Sequence, residues 1–383
     1  MPQKERLRQL AKCVVKIDDR EIADFYPYLQ QVAVETSRGA AAVCTLTFVS
    51  VRSEDGMWNI QDADLFSPWK RISIEAVFGS HCEEIMRGFI RDIQLDYPDD
   101  MNASVTVIGQ DESILLDREH VQKTYSTLEQ PLQDDALIRE LLKPHWVGSQ
   151  ADIAAGTTCG NLYFDGTPIR LIKDRAALNG YEFFIRENKG ESKAYFGPPD
   201  LTGDPQPTIL IYAGPASNCI NFSVLHDGHR PDNVCFVDAP ESHDDVNGDM
   251  GETCSTKSRP LGKTPANSKN QGLNDFIWRI QLPRGSTLVE REARAKAKAE
   301  ETAWKIRATG ELDGSLYGHV LLTSRTVSVD GVGSTYGGLW YVDEVKHRFS
   351  VDGYRQAFRL IRNATEDASP PGKADALAQV RLR

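Results

Sequence analysis

The sequence lacks any apolar run long enough to cross a membrane. Its longest apolar stretch, Ala40 to Val51, contains Thr45, Thr47 and Ser50 and falls short of the roughly 20 residues that a transmembrane helix needs. The first residues, MPQKERLRQLAKCVVKIDD, have no apolar core of the kind found in a signal peptide. We therefore expect a chain that is made in the cytoplasm and has no membrane span.

Cysteine is scarce and scattered. The seven cysteines stand at positions 13, 44, 82, 159, 219, 235 and 254, an odd number with no two close in sequence. A disulfide framework or a zinc knuckle needs tighter spacing. We expect these residues to be small buried hydrophobic side chains in a reducing compartment.

Positive charge is also in deficit. Against 55 Asp and Glu there are 44 Lys and Arg, and the net charge is −11. Such a balance argues against a general nucleic-acid binder, because phosphate neutralisation needs clustered basic charge.

Motifs for enzymatic chemistry and cofactor binding are absent. The glycines of Gly331-Val332-Gly333 and Gly337-Gly338 lie between predicted strands and do not open a helix, as a dinucleotide site requires. No Gly-x-Ser-x-Gly elbow occurs. The sequence therefore assigns no catalytic, cofactor-binding or metal-ligating residue, and we expect no enzyme and no cofactor.

Two weaker patterns have simpler explanations. His226 and His229 are spaced like metal ligands, but no third ligand follows at a fixed spacing. The acidic segment Asp244–Asp249 fails the residue order of a calcium loop and is better explained as a solvated loop. Carboxylates are plentiful, so the sequence leaves a glycosidase pair open without singling one out.

What the sequence does contain is strand-like alternation of apolar residues. Within residues 13–111 the alternation occurs in five segments, Gln31–Glu35, Val43–Val51, Arg71–Phe78, Phe89–Tyr97 and Val105–Val107. In the fourth segment we expect Phe89, Ile93, Leu95 and Tyr97 to share one face. Turns rich in Gly, Pro and Asp separate the segments, which is typical of a small sandwich or barrel.

Helical patterns follow in the middle of the chain. Gln133–Lys143 has an apolar stripe and ends at Pro144. Thr167 is a candidate N-cap before Pro168, and Asn179-Gly180 ends that helix before two short strands, Tyr181–Arg186 and Ala194–Phe196.

A longer Ala-rich helix is predicted from Thr287 to about Lys305. Thr287 and Glu290 form a capping box. The pairs Glu290/Arg294 and Glu292/Lys296 have the spacing of supporting ion pairs.

Strand patterns return after residue 205, and two segments break them. Residues 240–274 are polar with few large apolar residues, which predicts a long exposed loop or a segment that only a partner orders. Residues 364–383 are typical of a mobile tail or a docking segment.

One string near the end of the chain is similar to a known family. GGLWYVDEVKHRFSVDGYRQAFRLIRN resembles the closing hairpin of the phage tail hub family, also called the late control protein D family. The matching positions are Gly338, Trp340, Tyr341, Val342, Val345, His347, Gly353, Tyr354, Phe358, Leu360, Arg362 and Asn363. The segments Arg87–Ile93, Asn179–Phe184 and Tyr195–Pro198 resemble further steps of that family.

The resemblance covers most of residues 13–365 and implies a fold class. This class is β-rich α+β, with two tube-type β-barrel domains, an inserted α-β-β unit and a helix. The implied division is a lead-in (1–12), a first barrel (13–111), a helical linker with the α-β-β unit (112–204), a second barrel (205–239 plus 306–363), an insertion with the polar loop and Ala-rich helix (240–305) and a tail (364–383). Within it, we expect Trp340, Tyr341, Tyr354 and Phe358 to pack in the core, and His347 to be a structural histidine.

The resemblance also implies a function and partners. The family hub is a homotrimer, a structural adaptor that joins the six-fold tail tube to the three-fold spike of a contractile tail or tail-like baseplate. Its partners would be a spike protein, the first tail tube ring or tube initiator and baseplate wedge proteins, with DNA or an effector passing transiently through the lumen. The chain would be made in the bacterial cytoplasm and incorporated into a virion tail or an injection-particle baseplate. Because this sequence has no long β-helix repeats, we expect the spike to be a separate chain.

Two other functions remain open at this stage. One is a carbohydrate-binding or glycoside-hydrolysing β-domain protein, which predicts an aromatic-lined cleft with two close carboxylates. The other is an adaptor that loads cargo within an extracellular injection system. For the hub itself, we also expect part of the negative charge to line the channel, so that DNA does not adhere.

Overall fold

The alternating segments of the sequence form strands, and their buried positions follow the alternation. The structure is a computed structural model that describes residues 10–98, 102–145, 151–188, 191–237, 250–267, 273–281 and 287–366. In the strand Val43–Val51, Cys44, Leu46 and Phe48 are buried and the residues between them are partly exposed. This is the period-two pattern of a strand with one face on a core.

The chain contains twenty-five strands within the described residues. Those before residue 200 are β1 (Ala11–Ile17), β2 (Arg20–Glu21), β3 (Leu29–Ser37), β4 (Val43–Val51), β5 (Arg71–Phe78), β6 (His81–Asp96), β7 (Asn102–Asp111), β8 (Val121–Ser126), β9 (Leu132–Gln133), β10 (Asp152–Ile153), β11 (Thr158–Cys159), β12 (Leu162–Gly166), β13 (Glu182–Asn188) and β14 (Glu191–Gly197). The later ones are β15 (Gln206–Leu210), β16 (Cys219–His226), β17 (Asn233–Val237), β18 (Met250–Cys254), β19 (Thr264–Pro265), β20 (Ile277–Gln281), β21 (Ile306–Asp313), β22 (Thr326–Asp330), β23 (Gly338–Ser350), β24 (Gly353–Arg362) and β25 (Ala364–Thr365).

Helices are few and short by comparison. The α-helices of the described residues are α1 (Asp134–Leu142), α2 (Pro168–Asn179), α3 (Leu288–Ala303) and α4 (Gly314–Tyr317). Short 3₁₀-helices lie at Ala23–Tyr28, Gln61–Ala63, Glu112–Asp117 and Gly214–Ala216. No helix among the described residues is both long and apolar enough to cross a membrane.

Thirteen strands belong to one large, curled sheet. Its order is β16-β21-β24-β23-β3-β4-β7-β6-β5-β1-β2, with β22 added to β23 and β15 added to β22. Apart from β15 on β22, these pairings are antiparallel. The two halves of the chain meet where β3 pairs with β23, from Val32 opposite Phe349 to Ser37 opposite Glu344. The β-rich fold with few helices is confirmed.

Each half of the sheet has its own hydrophobic core. The N-terminal core is built from β1 and β3–β7, and Val320, Phe349 and Tyr354 of the other half complete it. The C-terminal core contains residues of β21–β24 with Ile209 and Ile211. The structure thus has two hydrophobic cores along one continuous sheet. That each half closes into a separate barrel, as predicted, stays a proposal.

The middle of the chain forms the predicted α-β-β unit. Helix α2 begins after Thr167, whose side chain makes no capping hydrogen bond, and ends at Gly180 in the left-handed conformation (φ +68°). Strands β13 and β14 follow as an antiparallel pair. Helix α1 spans Asp134–Leu142, as its apolar stripe predicts.

Helix α3 begins with the predicted capping box between Thr287 and Glu290. Its Glu292–Lys296 pair is present at 3.4 Å, but Glu290 pairs with Arg175 of α2 at 3.0 Å rather than with Arg294. Arg175 also donates to the fully buried Asp134 at the start of α1, at 2.6 Å. One buried arginine thus connects three helices.

Strand β6 differs from the prediction. A bulge between Ile90 and Asp92 shifts its register against β7, and one extra residue reverses which side chains face the core. Ile90 is therefore fully buried and Ile93 packs on the same core, whereas Leu95 and Tyr97 are exposed. The prediction is therefore wrong for Phe89, which the bulge places on the face opposite Ile93. Ile93 and Leu95 pair with the buried Val107 and Val105 and share one face, as predicted.

The polar stretch 240–274 also differs from its prediction in the residues that the structure describes. Residues 250–254 form β18, which pairs with β17, and Leu261 is buried against Trp304 and Tyr341. The amide of Leu261 donates to the Asn363 side chain at 2.9 Å. The prediction of an exposed loop is wrong for these residues because a few apolar anchors suffice to hold a polar segment. The acidic segment Asp244–Asp249, the lead-in up to residue 9 and the tail from residue 367 lie outside the described residues.

Candidate functional site

The aromatic residues of the closing hairpin lie inside the protein. Trp340, Tyr341, Tyr354 and Phe358 are each at most 4% exposed. The Trp340 indole donates to the Tyr336 carbonyl at 2.9 Å. Their predicted role in core packing is confirmed, so these four aromatic side chains contribute no surface for a partner.

His347, in the same hairpin, is a buried neutral histidine. Its Nδ1 lies 2.8 Å from the Tyr354 hydroxyl, and the two rings stack. Burial lowers the pKa of His347 to about 3, because an imidazolium loses its hydration inside a core. The predicted structural role is confirmed.

The three terminal strands of the large sheet differ in how their outer edges are protected. Strand β2 has only two residues, both charged, Arg20 and Glu21. Strand β15 contains Pro207, whose carbonyl accepts from the Tyr317 hydroxyl at 2.8 Å. Short length, charge, proline and covering contacts are the usual protections of a sheet edge.

Strand β16 has neither charge nor proline, and it is eight residues long. Its eight residues, CINFSVLH, include no Lys, Arg, Asp, Glu or Pro, and within the described part of the chain it pairs only with β21. Phe222 and Val224 turn toward the C-terminal core, whereas Ile220 and Leu225 are 52% and 61% exposed. An uncharged edge of this length offers unpaired backbone groups beside apolar side chains, which suits pairing with another chain.

A second apolar surface lies on β20, the outer strand of the small sheet β18-β17-β20. Phe276, Ile277 and Trp278 are each more than 40% exposed. The Lys298 ammonium lies 4.9 Å from the centre of the Trp278 ring. Adjacent exposed aromatic and aliphatic residues are typical of contact surfaces.

A cleft of about 530 Å³ lies beside β6, β13 and the segment before β22, and contains several carboxylates. Glu84 pairs with Arg87 at 2.8 Å, and Asp111 accepts from the backbone amides of Ala42 and Ser113. Burial raises the pKa of Asp111, although these hydrogen bonds oppose the shift. Glu84 and Asp111 thus have structural partners, and Phe184 is the one Phe, Tyr or Trp among the described residues of the lining. The cleft therefore does not favour the aromatic-lined carboxylate pair that a glycosidase needs.

A cluster of possible metal ligands lies at the edge of this cleft. His81 Nε2 is 2.7 Å and His319 Nδ1 is 2.9 Å from the same Glu83 oxygen, Oε1. Burial would raise the pKa of Glu83, but hydrogen bonds from His319, the Val320 amide and His81 lower it. The sequence shows the nearness of His81 and Glu83, two positions apart on β6, yet gives no signal for His319, 236 residues from Glu83.

His226 and His229, which the sequence spaces like metal ligands, are not part of any such cluster among the described residues. The His226 ring packs edge-on against Tyr336, and the His229 ring lies against Phe276.

The cysteines are mostly what the sequence predicts. Cys44, Cys159, Cys235 and Cys254 are buried, and burial raises the pKa of Cys44 to about 12. Cys82 is exposed, so for this residue the prediction of a buried side chain is wrong. It lies on the turn-proximal end of β6, where no core covers it.

No protein-family model matches this chain. No curated protein matches it either.

Solved structures do match nearly the whole chain. A 43 kDa tail protein of prophage MuSo2 from Shewanella oneidensis has a TM-score of 0.63 at 13% identity, covering 93% of this chain and all of its own. A tail protein from Neisseria meningitidis MC58 has a TM-score of 0.61 at 13% identity, covering 92% of this chain and 97% of its own.

A third matching structure is a component of a secretion system. The E. coli c3393 protein, a component of the type VI secretion system, has a TM-score of 0.57 at 10% identity, covering 94% of this chain and 80% of its own. That protein is described as structurally similar to the T4 bacteriophage tail proteins gp27 and gp5. This chain thus has the fold of phage tail proteins and of their type VI secretion counterpart, which confirms the resemblance to the tail hub family at the level of the fold.

Proposed function

We propose that this chain is the central hub of a contractile tail or tail-like baseplate, a homotrimeric adaptor between the six-fold tail tube and the three-fold spike. The observation that carries the proposal is the agreement with tail-protein folds over more than nine-tenths of the chain. Fold alone does not determine function, so the assembly surfaces must supply the rest of the argument.

The arrangement of the sheet supports a trimer. Each chain has two β halves with separate cores, so three chains supply six β units, the number that a six-fold tube presents. The uncharged edge of β16 gives one half a surface for pairing with a neighbour. In this proposal each half forms one tube-type barrel, and the divisions 13–111 and 205–239 plus 306–363 mark them.

The partners follow from that position in the particle. A separate spike chain would bind on one side, the first tube ring or tube initiator on the other, and wedge proteins around the outside. DNA or an effector would pass through the lumen, where part of the −11 net charge would keep a polyanion from adhering. A structure of the assembled ring with a neutral or basic lumen would contradict this last point. Synthesis in the bacterial cytoplasm and incorporation into a virion tail or injection particle belong to the same proposal.

A hub needs interfaces rather than reacting groups, so the proposal is of a non-enzymatic protein. The glycoside-hydrolysing alternative gains no support from the cleft, in which Glu84 is paired with Arg87 and Asp111 accepts backbone amides. A cargo adaptor would use the same hub cavity and differs only in what passes through it.

The decisive experiment is mass measurement of the purified chain, alone and mixed with a candidate spike, by sedimentation and light scattering. The hub predicts a trimer near three times 42.7 kDa and one spike trimer bound per hub trimer. A chain that stays monomeric at high concentration and binds no spike would overturn the proposal.

A further inference from the structure

We infer that His81, Glu83 and His319 form a binding site for a divalent transition-metal ion, with Zn²⁺ the ion that fits best. The ligand atoms of the three side chains all lie within 4.8 Å of one another. The inference concerns the chain itself and does not depend on the hub assignment.

The backbone brings these residues together from two distant parts of the chain. His81 and Glu83 are two positions apart on β6, so their side chains leave the same face of the strand. His319 follows Gly318, which ends α4 in the left-handed conformation (φ +72°) and turns the chain toward β6. The two imidazole rings meet edge to face, with centres 5.5 Å apart.

The donor set is that of known metal sites. Two imidazole nitrogens and one carboxylate oxygen occupy three positions in many zinc enzymes and leave a fourth for water. Ligand atoms about 2.0–2.1 Å from a tetrahedral ion lie about 3.3 Å apart. The present separations of 2.7 Å and 2.9 Å from Glu83 Oε1 therefore need to widen by about 0.4–0.6 Å. The two imidazole nitrogens, which lie within 4.8 Å of each other, need to reach the same spacing.

The surroundings permit this small movement and fix the carboxylate. The His81 side chain is 52% exposed, so its ring can shift without disturbing the core. The second Glu83 oxygen, Oε2, accepts the Val320 amide, which holds the carboxylate with Oε1 toward the histidines. Contacts of this kind behind a ligand orient it and strengthen metal binding. Glu83 and His319 also line the cleft, which gives an ion and its water a route of entry.

An ion at this position would tie the two halves of the chain together. Val320, next to His319, is part of the N-terminal core although it comes from the C-terminal half. A link between residues so far apart in sequence closes a long loop, and metal binding only to the folded chain adds directly to its stability.

The test uses full-length protein carrying Cys82→Ser, because Cys82 stands between His81 and Glu83 in the sequence and an exposed thiol binds Zn²⁺ on its own. Calorimetric titration with Zn²⁺ and absorption spectra with Co²⁺, after treatment with a chelator, are expected to show one site and a higher melting temperature. His81→Ala and His319→Ala, each in that background, are expected to weaken binding by more than about tenfold.

The matched control is His120→Ala. His120 is an exposed histidine that pairs with Asp165 at 3.0 Å without a second histidine, so its loss is expected to leave Zn²⁺ affinity unchanged. Because His81 is exposed, the metal-free melting temperature of its variant is expected to match the parent. No saturable Zn²⁺ binding, or binding that survives both ligand variants, would overturn the inference while leaving the trimer and spike experiment untouched.

Discussion

Burial has turned His347 from a group that titrates near neutral pH into one that stays neutral. Its pKa falls to about 3 in the folded chain, whereas a histidine in an unfolded chain titrates near 6.5. Between these two pH values, His347 is protonated in the unfolded state and neutral in the folded state. The contribution of His347 to the free energy of unfolding is therefore fully present above about pH 6.5, and it decreases as the pH falls toward about 3.

His347→Asn is expected to flatten this pH dependence. Each pH unit below about 6.5 costs the parent about 1.4 kcal/mol through His347, and asparagine does not titrate. The free energy of unfolding, measured by urea denaturation between pH 7 and pH 4.5, is expected to show the smaller slope in the variant. Tyr354→Phe serves as the control, since it removes the hydrogen bond but keeps the burial, and the slope is expected to persist. Equal slopes in the parent and His347→Asn would contradict this account.

Asp134→Asn is expected to lower the free energy of unfolding by about 3 kcal/mol, because it leaves the buried Arg175 without its main counter-charge. Asp135→Asn is the matched control. It is the next residue in the first turn of α1 and is expected to cost less than about 1 kcal/mol through the helix dipole. Urea denaturation at pH 7 measures both, and equal losses would show that the Arg175 connection contributes little.

Which residues could be predicted depends on the distance along the chain. The capping box of Thr287 and Glu290 is visible because both partners lie within one turn. The same Glu290 also binds Arg175, 115 residues away, and His319 reaches Glu83 across 236 residues. Such pairs follow from the tertiary fold, and no local pattern in the sequence records them.

At the level of elements, strands were easier to predict than their faces and edges. Alternation located β4 and β5, and the resemblance to the tail hub family located the β23–β24 hairpin. A single bulged residue in β6 placed Phe89 on the face opposite Ile93 and Leu95. Strand β18 escaped prediction because its sequence, MGETC, has little alternation. The open edge of β16 depends on the order of the strands in the sheet, and the sequence of the strand alone does not determine that order.

Leu225→Lys is expected to weaken self-association if β16 pairs with a neighbouring chain. The new charge would lie in the contact, and a loss of about 1.4 kcal/mol raises the dissociation constant about tenfold. Leu128→Lys is the matched control, since Leu128 is similarly exposed, at 67% against 61% for Leu225, but lies outside the strands of the large sheet. Sedimentation equilibrium measures both. A trimer that survives Leu225→Lys with unchanged affinity would remove β16 from the interface.

At the scale of the whole molecule, the two halves are interlocked rather than joined by a linker. Strands β3 and β23 pair along six residues, and Phe349 and Tyr354 of the second half stack on each other while packing in the N-terminal core. The domain division predicted from the sequence places these halves in two separate barrels. The structure gives them a common sheet, so neither half buries its full core alone.

The halves are therefore expected to unfold in one cooperative transition. Phe48→Ala empties part of the N-terminal core and Leu360→Ala part of the C-terminal core, where both side chains are fully buried. Each variant is expected to lose about 3–4 kcal/mol and to shift a single calorimetric peak whose van't Hoff and calorimetric enthalpies agree. Two peaks, with each variant moving only one of them, would mean that the halves fold independently. In that case the pairing of β3 with β23 would be a weak contact between separate barrels rather than the continuous sheet that couples them.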